Sequence, residues 1–479
     1  MSAMLVSAAV AADGEASSTL ADQQGVAVTI YNDNLALIKD QRKIQLGSGQ
    51  GTLAFRDVSA QMRPETALLR SLSSPGKLSV VEQNFDFDLL TPQKMLDKYV
   101  GKTVTVIKTN SATGAESSEQ AQVLATNNGV VLKFDNRIET GVPGRIAYGD
   151  VPANLRDRPT LVMQLNNAGA TRQDVELSYL SGGLGWKADY VAELNATDDK
   201  LDLSGWVTLT NTSGASYRNA RLQLVAGNVN QVTPVRSRMV MAEERMAPLP
   251  APAPPRPMAE ESLLEYHLYT LDHPTTIAEN QTKQVALLSA TDVPVRKELL
   301  LSGAGYYYSS SYGELGQKLK TSVFIEFDNK ENANLGMPLP KGILRVYKKD
   351  SAGNAQFVGE DNIDHTPRNE KVRLKLGDSF DVTAAKKQTE FKKLPNPAQN
   401  STQNPVKGSS IFESAYEIVL KNARKESVTV TVQEPIPGDW KMLESNHKHE
   451  KPTSNTAVWH IKVPAEGETK LTYRVQVRY

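Results

Sequence analysis

Residues 177–228 read LSYLSGGLGWKADYVAELNATDDKLDLSGWVTLTNTSGASYRNARLQLVAGN, three β-type runs joined by turn chemistry. In the middle run Leu201, Leu203, Val207 and Leu209 fall on one face at a period of two. Asp202, Ser204, Thr208 and Thr210 fall on the other, beside Trp206. A strand with one face on a core and one in water requires that alternation. The run stops at Asn211, and Thr212-Ser213-Gly214 supplies turn residues before Leu222 and Leu224 resume the pattern. Upstream, Ser181-Gly182-Gly183-Leu184-Gly185-Trp186 is a glycine-rich corner leading into Tyr190-Val191-Ala192-Glu193-Leu194. The stretch reads as the middle of a β-sandwich, expected over 160–232.

The same text extends in both directions. Over 25–88, Val26, Val28 and Ile30 alternate, Asn32-Asp33-Asn34 turns the chain, and Ile44, Leu46 and Thr52-Leu53-Ala54-Phe55 follow, as in a β-meander packing with the central sandwich. Over 89–150, Pro92 to Tyr99 predicts one short helix ended by Gly101. Four short runs, at 102–107, 121–125, 129–134 and 145–148, then predict a small inserted SH3-like barrel. Residues 233–260 contain Ala247-Pro248-Leu249-Pro250-Ala251-Pro252-Ala253-Pro254-Pro255-Arg256-Pro257. This tract cannot donate regular backbone hydrogen bonds and reads as an extended linker. Residues 261–479 predict a C-terminal Ig-like sandwich, whose last strand sets Leu471, Tyr473, Val475 and Val477 against Thr472, Arg474 and Gln476. Val207-Thr208-Leu209-Thr210-Asn211 is echoed by Ile418-Val419-Leu420-Lys421-Asn422, two strands that each end in Asn. The fold class expected is all-β, with tandem sandwiches and an inserted barrel.

A chain of 479 residues is too long for one core. Lys+Arg and Asp+Glu are 54 each, so there is no overall positive field to hold nucleic-acid phosphates. No apolar run reaches the roughly 20 residues that a membrane-spanning helix needs. Residues 1–12, with Leu5-Val6 and the small residues Ala8-Ala9-Val10-Ala11-Ala12, read as the remnant of a secretory signal, so export from a bacterial cytoplasm to periplasm or cell surface is expected. The absence of cysteine excludes disulfides, thiol chemistry and Cys-ligated metals.

Specific catalytic signatures are missing: no Gly-x-Ser-x-Gly elbow, no His-Glu-x-x-His, no P-loop. His447-Lys448-His449 places two imidazoles on one strand face without an evident third metal ligand nearby. Asp361, Asp364 and His365 form the most chemical-looking cluster, suited to acid–base work or Ca²⁺ if brought together and otherwise a polar hairpin. Trp186, Trp206 and the tract Tyr306, Tyr307, Tyr308 and Tyr312 are candidates for stacking on a glycan or a protein partner, against a strand with half-buried rings. No cofactor and no metal are expected.

The segments Ser181 through Tyr190, Leu203 through Asn211 and Arg221 through Gly227 resemble the domain pattern of bacterial mucoidy-inhibitor-like proteins. So does Leu335-Gly336-Met337-Pro338-Leu339-Pro340-Lys341-Gly342-Ile343-Leu344-Arg345-Val346-Tyr347, with Val358-Gly359-Glu360-Asp361 and His365-Thr366-Pro367 after it. The similarity runs from about residue 25 onward. The resemblance implies an exported, β-rich envelope protein and supplies no active site. The mucoidy-inhibitor form carries a long coiled-coil-like insertion where this chain reads as a small barrel, so a role in restraining capsule production does not carry over. The expected function is a non-enzymatic envelope protein acting through β-domain contacts with another envelope protein or with itself. The alternative is a carbohydrate-binding or glycan-processing envelope protein.

Overall fold

A computed structural model describes residues 15–32, 34–142, 144–152, 155–227, 229–230, 258–395 and 410–479. The expected signal remnant and residues 233–257 of the expected linker lie outside them; the linker's last residues, from Met258, are described, and Ala259 and Glu260 are strand residues. Strand outweighs helix throughout, and the all-β expectation holds. The described residues divide into two compact units that interleave along the chain. The first holds residues up to Trp186, 208–230 and Met258–Gln284; the second holds Lys187–Val207 and Val285–Tyr479.

The first unit begins with β1 (Ala16–Ser18), β2 (Gln23–Tyr31), β3 (Leu35–Gln45), β4 (Gly49–Arg56), β5 (Leu68–Ser71) and β6 (Leu78–Asp86). A helix α1 (Pro92–Lys98) precedes β7 (Thr103–Thr109), β8 (Glu116–Ala125), β9 (Val131–Lys133), β10 (Ile138–Thr140) and β11 (Arg145–Ala147). Then come β12 (Thr160–Asn167), β13 (Arg172–Ser181), β14 (Leu184–Leu194), β15 (Lys200–Asn211) and β16 (Tyr217–Ala226), of which β14 and β15 lie mostly in the second unit. Past the Pro-rich tract lie β17 (Ala259–Leu263), β18 (Tyr266–Thr270) and β19 (Thr275–Ile277).

One sheet runs β1-β4-β12-β6 and another β17-β18-β16-β2-β3-β13-β5. A charged side chain joins them. Arg42, on β3 and fully buried, bonds Asp40 Oδ2 at 2.8 Å, and its guanidinium donates to the carbonyls of Ser18 on β1 (3.0 Å) and Arg56 on β4 (2.8 Å). Phe55 lies 3.8 Å beneath it. A buried guanidinium survives only when its donors are used, and here they are.

The insertion differs from the expected barrel. Its strands form an open sheet, β10-β9-β8-β7-β11, with no pairing that closes it among the described residues. The sequence reading missed β10, and β10 caps one edge where a barrel would have to close. The predicted helix is present: Thr91 Oγ1 accepts from Lys94 N at 3.2 Å, and Met95, Leu96 and Tyr99 pack on Val104, Val123 and Leu132.

The second unit continues with β20 (Gln281–Ser302), β21 (Glu314–Asp328), β22 (Gly342–Lys349), β23 (Ala355–Ile363), β24 (Lys371–Leu394) and β25 (Ile411–Asn422). It ends with β26 (Val428–Pro435), β27 (Asp439–Ser445), β28 (Glu450–Thr453), β29 (Thr456–Val463) and β30 (Gly467–Arg478). The ladder β20-β21-β24-β25-β30-β27 faces β26 and β29 across a core of Tyr416, Ile418, Val430, Val432, Trp459, Tyr473 and Val475. The expected strands over 321–479 fall here.

Buried asparagines close the corners. Asn211, the last residue of β15, accepts from Ser213 N (3.0 Å) and donates to the carbonyls of Ala215 (2.8 Å) and Ile277 (3.3 Å). Asn422, the last residue of β25, accepts from Arg424 N (3.0 Å) and donates to Glu426 O (2.8 Å) and Pro464 O (2.9 Å). The echo in the sequence is thus one corner built twice. Asn167 and Asn329 close strand ends in a related way, each accepting from a turn N–H, Asn167 donating to two carbonyls and Asn329 to three. Removing a buried side chain that satisfies three backbone groups leaves them unpaired. Asn422→Ala should therefore destabilise the second unit by about 2 kcal/mol or more. Thermal melts should show this as a lowered transition for that unit, and an unchanged melt would mean that the corner is not held by the side chain.

Candidate functional site

The densest chemistry of the second unit lies inside its sandwich. Lys386 on β24 and Glu434 on β26 form an ion pair with both side chains about 1% exposed, Nζ lying 2.7 and 2.6 Å from the two carboxylate oxygens. Tyr308 OH donates to Glu434 Oε2 at 2.8 Å and lies 2.9 Å from Tyr473 OH. The Lys386 ammonium also sits 4.3 Å above the Tyr307 ring and 5.1 Å above that of Tyr416. Burial lowers the Lys386 ammonium below its ordinary value, opposed by Glu434. Burial pushes the Tyr308 and Tyr473 phenols well above theirs, and the Glu434 charge pushes the same way.

Above this pair lies the tyrosine tract. Residues Gly305–Tyr308 form a single 3-10 turn, not the strand hairpin expected. The turn is locked from below: Gln388 Nε2 donates to Tyr307 O and Ser310 O, Gln388 Oε1 accepts from Tyr312 N, and Tyr416 OH donates to Tyr307 O at 2.7 Å. Tyr307 and Tyr308 are consequently core residues, while Tyr306 stays 59% exposed and Tyr312 half-buried. Tyr306 meets Tyr307 and Tyr312 edge-on, with centroids at 4.7 and 5.7 Å.

A second feature of this unit is a groove of about 250 Å³ with Leu194, Ile325 and Leu376 among its apolar walls. Asp198 lies in it, bonded to Lys297 at 2.8 Å and to Lys348. Burial works against the Asp198 charge, yet the two lysines hold its carboxyl below the usual value. Asp378 also lines the groove and accepts from Ser322 Oγ at 3.0 Å, so beside its apolar walls the groove holds one ion-paired carboxylate and one that is hydrogen-bonded.

Residues 175–479 match the family model of a domain of unknown function, DUF4139. This chain belongs to that family. No curated protein matches it.

The DUF4139 domain contains the residues singled out from sequence. Trp186 is buried in the first unit at 6% exposure, and Trp206, in the second, is half-buried. Of the six stacking candidates, the fold gathers Tyr306, Tyr307 and Tyr312 into one cluster and sends Tyr308 inward. In the Asp361, Asp364 and His365 cluster, the hydrogen bonds run between these residues and nearby backbone or hydroxyl groups. Asp361 accepts from Asn362 N (2.9 Å) and from Lys375 N (2.8 Å), pinning β23 to β24. His365 Nδ1 accepts from Lys341 N at 3.3 Å, and the Asp364 carbonyl accepts from Thr366 Oγ1. His449 packs between Trp440 and Trp459. Among the described residues no three His, Asp or Glu side chains are grouped to hold a metal.

Sequence reasoning missed Lys386 and Glu434, although both leave a readable trace. Val382, Ala384, Lys386 and Gln388 share one phase of β24, and Val428, Val430, Val432 and Glu434 share one phase of β26. A charge in register with core residues predicts a buried partner.

The tyrosines give the DUF4139 domain a pH dependence. The ordinary phenol value is 10.0, and Tyr308, Tyr416 and Tyr473 are raised above it in the fold. They contribute stability that is complete below about pH 10 and lost as pH climbs toward the folded values. In an alkaline titration followed by tyrosinate absorbance, these three should ionise only together with unfolding of the second unit, after the exposed tyrosines. Reversible ionisation of all 16 tyrosines ahead of unfolding would contradict it.

Proposed function

We propose that this DUF4139 protein is a non-enzymatic, exported component of a bacterial cell envelope that works by protein–protein contact through its β-domains. The supporting observation is an apolar stretch on the first unit. Leu68, Leu72, Val80, Val81, Phe87 and Leu90 are large apolar residues left exposed within residues 68–90, Val81 and Phe87 each at 67%. β5 and β6 lie in contact, and the Phe85 and Phe87 rings meet at 5.6 Å. Apolar groups gathered in this way mark interaction surfaces more often than scattered ones do.

The contact is made by side chains, not by adding a strand. Sheet edges are short at β1, β5 and β17. At β6, β23 and β27 they carry register shifts that leave Val81, Val358 and Leu443 as extra residues. Short and bulged edges discourage strand addition. Export is supported by the signal-like residues 1–12. The mucoidy-inhibitor-like resemblance supports the envelope reading in the same sense. No described helix is long and apolar enough to cross a membrane.

A photo-crosslinking side chain at Val81 in the native host should trap a discrete adduct in the envelope fraction. Phe87→Glu in the same protein should abolish it, and the same probe at exposed Ser118 should give none. Equal labelling at both positions would remove the apolar surface as the contact. Tyr306 and Tyr312 keep glycan binding as the alternative: if Tyr306→Ala abolishes retention on host cell-wall glycans while Phe87→Glu does not alter it, that reading replaces this one.

A further inference from the structure

Lys386 and Glu434 bring a primary amine and a carboxyl group together in a place built to exclude water. Both side chains are about 1% exposed. The backbone of Gly303 closes over the carboxylate so tightly that a Cβ there would lie 2.1 Å from Glu434 Oε2. Aromatic rings complete the wall, with Tyr307 and Tyr416 over the ammonium and Tyr308 and Tyr473 at the carboxylate. An ion pair so placed loses hydration on both partners and is seldom favoured over neutral groups of similar size.

We propose that Lys386 and Glu434 react to form an intramolecular isopeptide bond, an amide between Lys386 Nζ and Glu434 Cδ. The ammonium passes one proton to the carboxylate, giving an amine and a carboxylic acid in contact. The amine lone pair attacks Cδ, forming the C–N bond. The oxygen that becomes the amide carbonyl is Oε2, which already accepts the Tyr308 hydroxyl, with Tyr473 behind it; that donor meets the negative charge that develops in the tetrahedral intermediate. The C–Oε1 bond then breaks, and Oε1 leaves as water carrying the proton it received and a second one from nitrogen. An ammonium and a carboxylate become an amide and one water, with no oxidant, reductant or activated co-reactant. Holding the two groups in contact supplies the effective concentration such a condensation needs. A site closed by Gly303 and four tyrosines protects the product from hydrolysis.

The topology gives the bond a purpose. β24 pairs with β21 and β25, and β26 pairs with β20 and β29, so the strands that carry Lys386 and Glu434 are not paired with each other and their backbones connect only through β20 and β21. A covalent link there would tie the layers of the second unit together in a chain with no cysteine for a disulfide.

Intact-mass spectrometry of the purified full chain, followed by peptide mapping, tests it. The expected result is a protein one water lighter than its residues sum to, with a branched peptide joining Lys386 to Glu434. Lys386→Met should restore the full mass, and Tyr308→Phe should raise the unlinked fraction. Because the native chain alone decides, a variant that fails to fold does not blur the answer. Full mass in the native protein, or a water lost elsewhere with both peptides linear, overturns the proposal.

Discussion

The corner asparagine is the constraint on which the sandwiches depend. Where a strand ends inside a β-sandwich, its turn carries backbone N–H and C=O groups that neither the ladder nor water satisfies. Asn211 and Asn422 meet that demand with one side chain each, bonding their own turn and a carbonyl of a neighbouring segment. The amide is short enough to be buried and carries both donor and acceptor, which no apolar residue of that size provides. With the corners held, β15 and β25 alternate buried and exposed residues through their last residues, Leu209 to Asn211 and Leu420 to Asn422.

Within those frames each unit accepts a cation in its core. Arg42 is satisfied by Asp40 and two backbone carbonyls from the facing sheet, so it acts as a bracket between layers. Lys386 has only the Glu434 carboxylate and the faces of two rings. The difference follows from the groups: a guanidinium spreads five donors over a plane, while an ammonium is a compact charge that a single carboxylate can occupy. The first arrangement is inert. The second puts a potential nucleophile against a potential acyl group.

Much of the architecture was legible because period-two alternation survives wherever one face is buried. The strands around Val26, Leu201, Ile418 and Val475 were read on that basis, and the helix at Pro92 on its cap and its stop. The barrel was misread because three-residue strands such as Ile138–Thr140 leave too short a pattern to see, and closure depends on pairing that no local signal encodes. The tyrosine tract was expected to be a hairpin because Tyr favours strands; instead Gln388 and Tyr416, far away in sequence, hold its carbonyls in a 3-10 turn. Asp361, Asp364 and His365 looked chemical because polar residues adjacent in sequence suggest a site, yet Asp361 serves as a latch between two strands.

By itself the sequence determined the fold class, the strand phases and the Asn-ended corners, since each depends on neighbours a few residues apart. Only the tertiary structure decided which polar residues meet. Lys386 and Glu434 are 48 positions apart, and Tyr308 reaches Glu434 across 126. Their encounter depends on how layers stack, and the energy of that encounter depends on the exclusion of water, which is a property of the packed core and of no single stretch of chain.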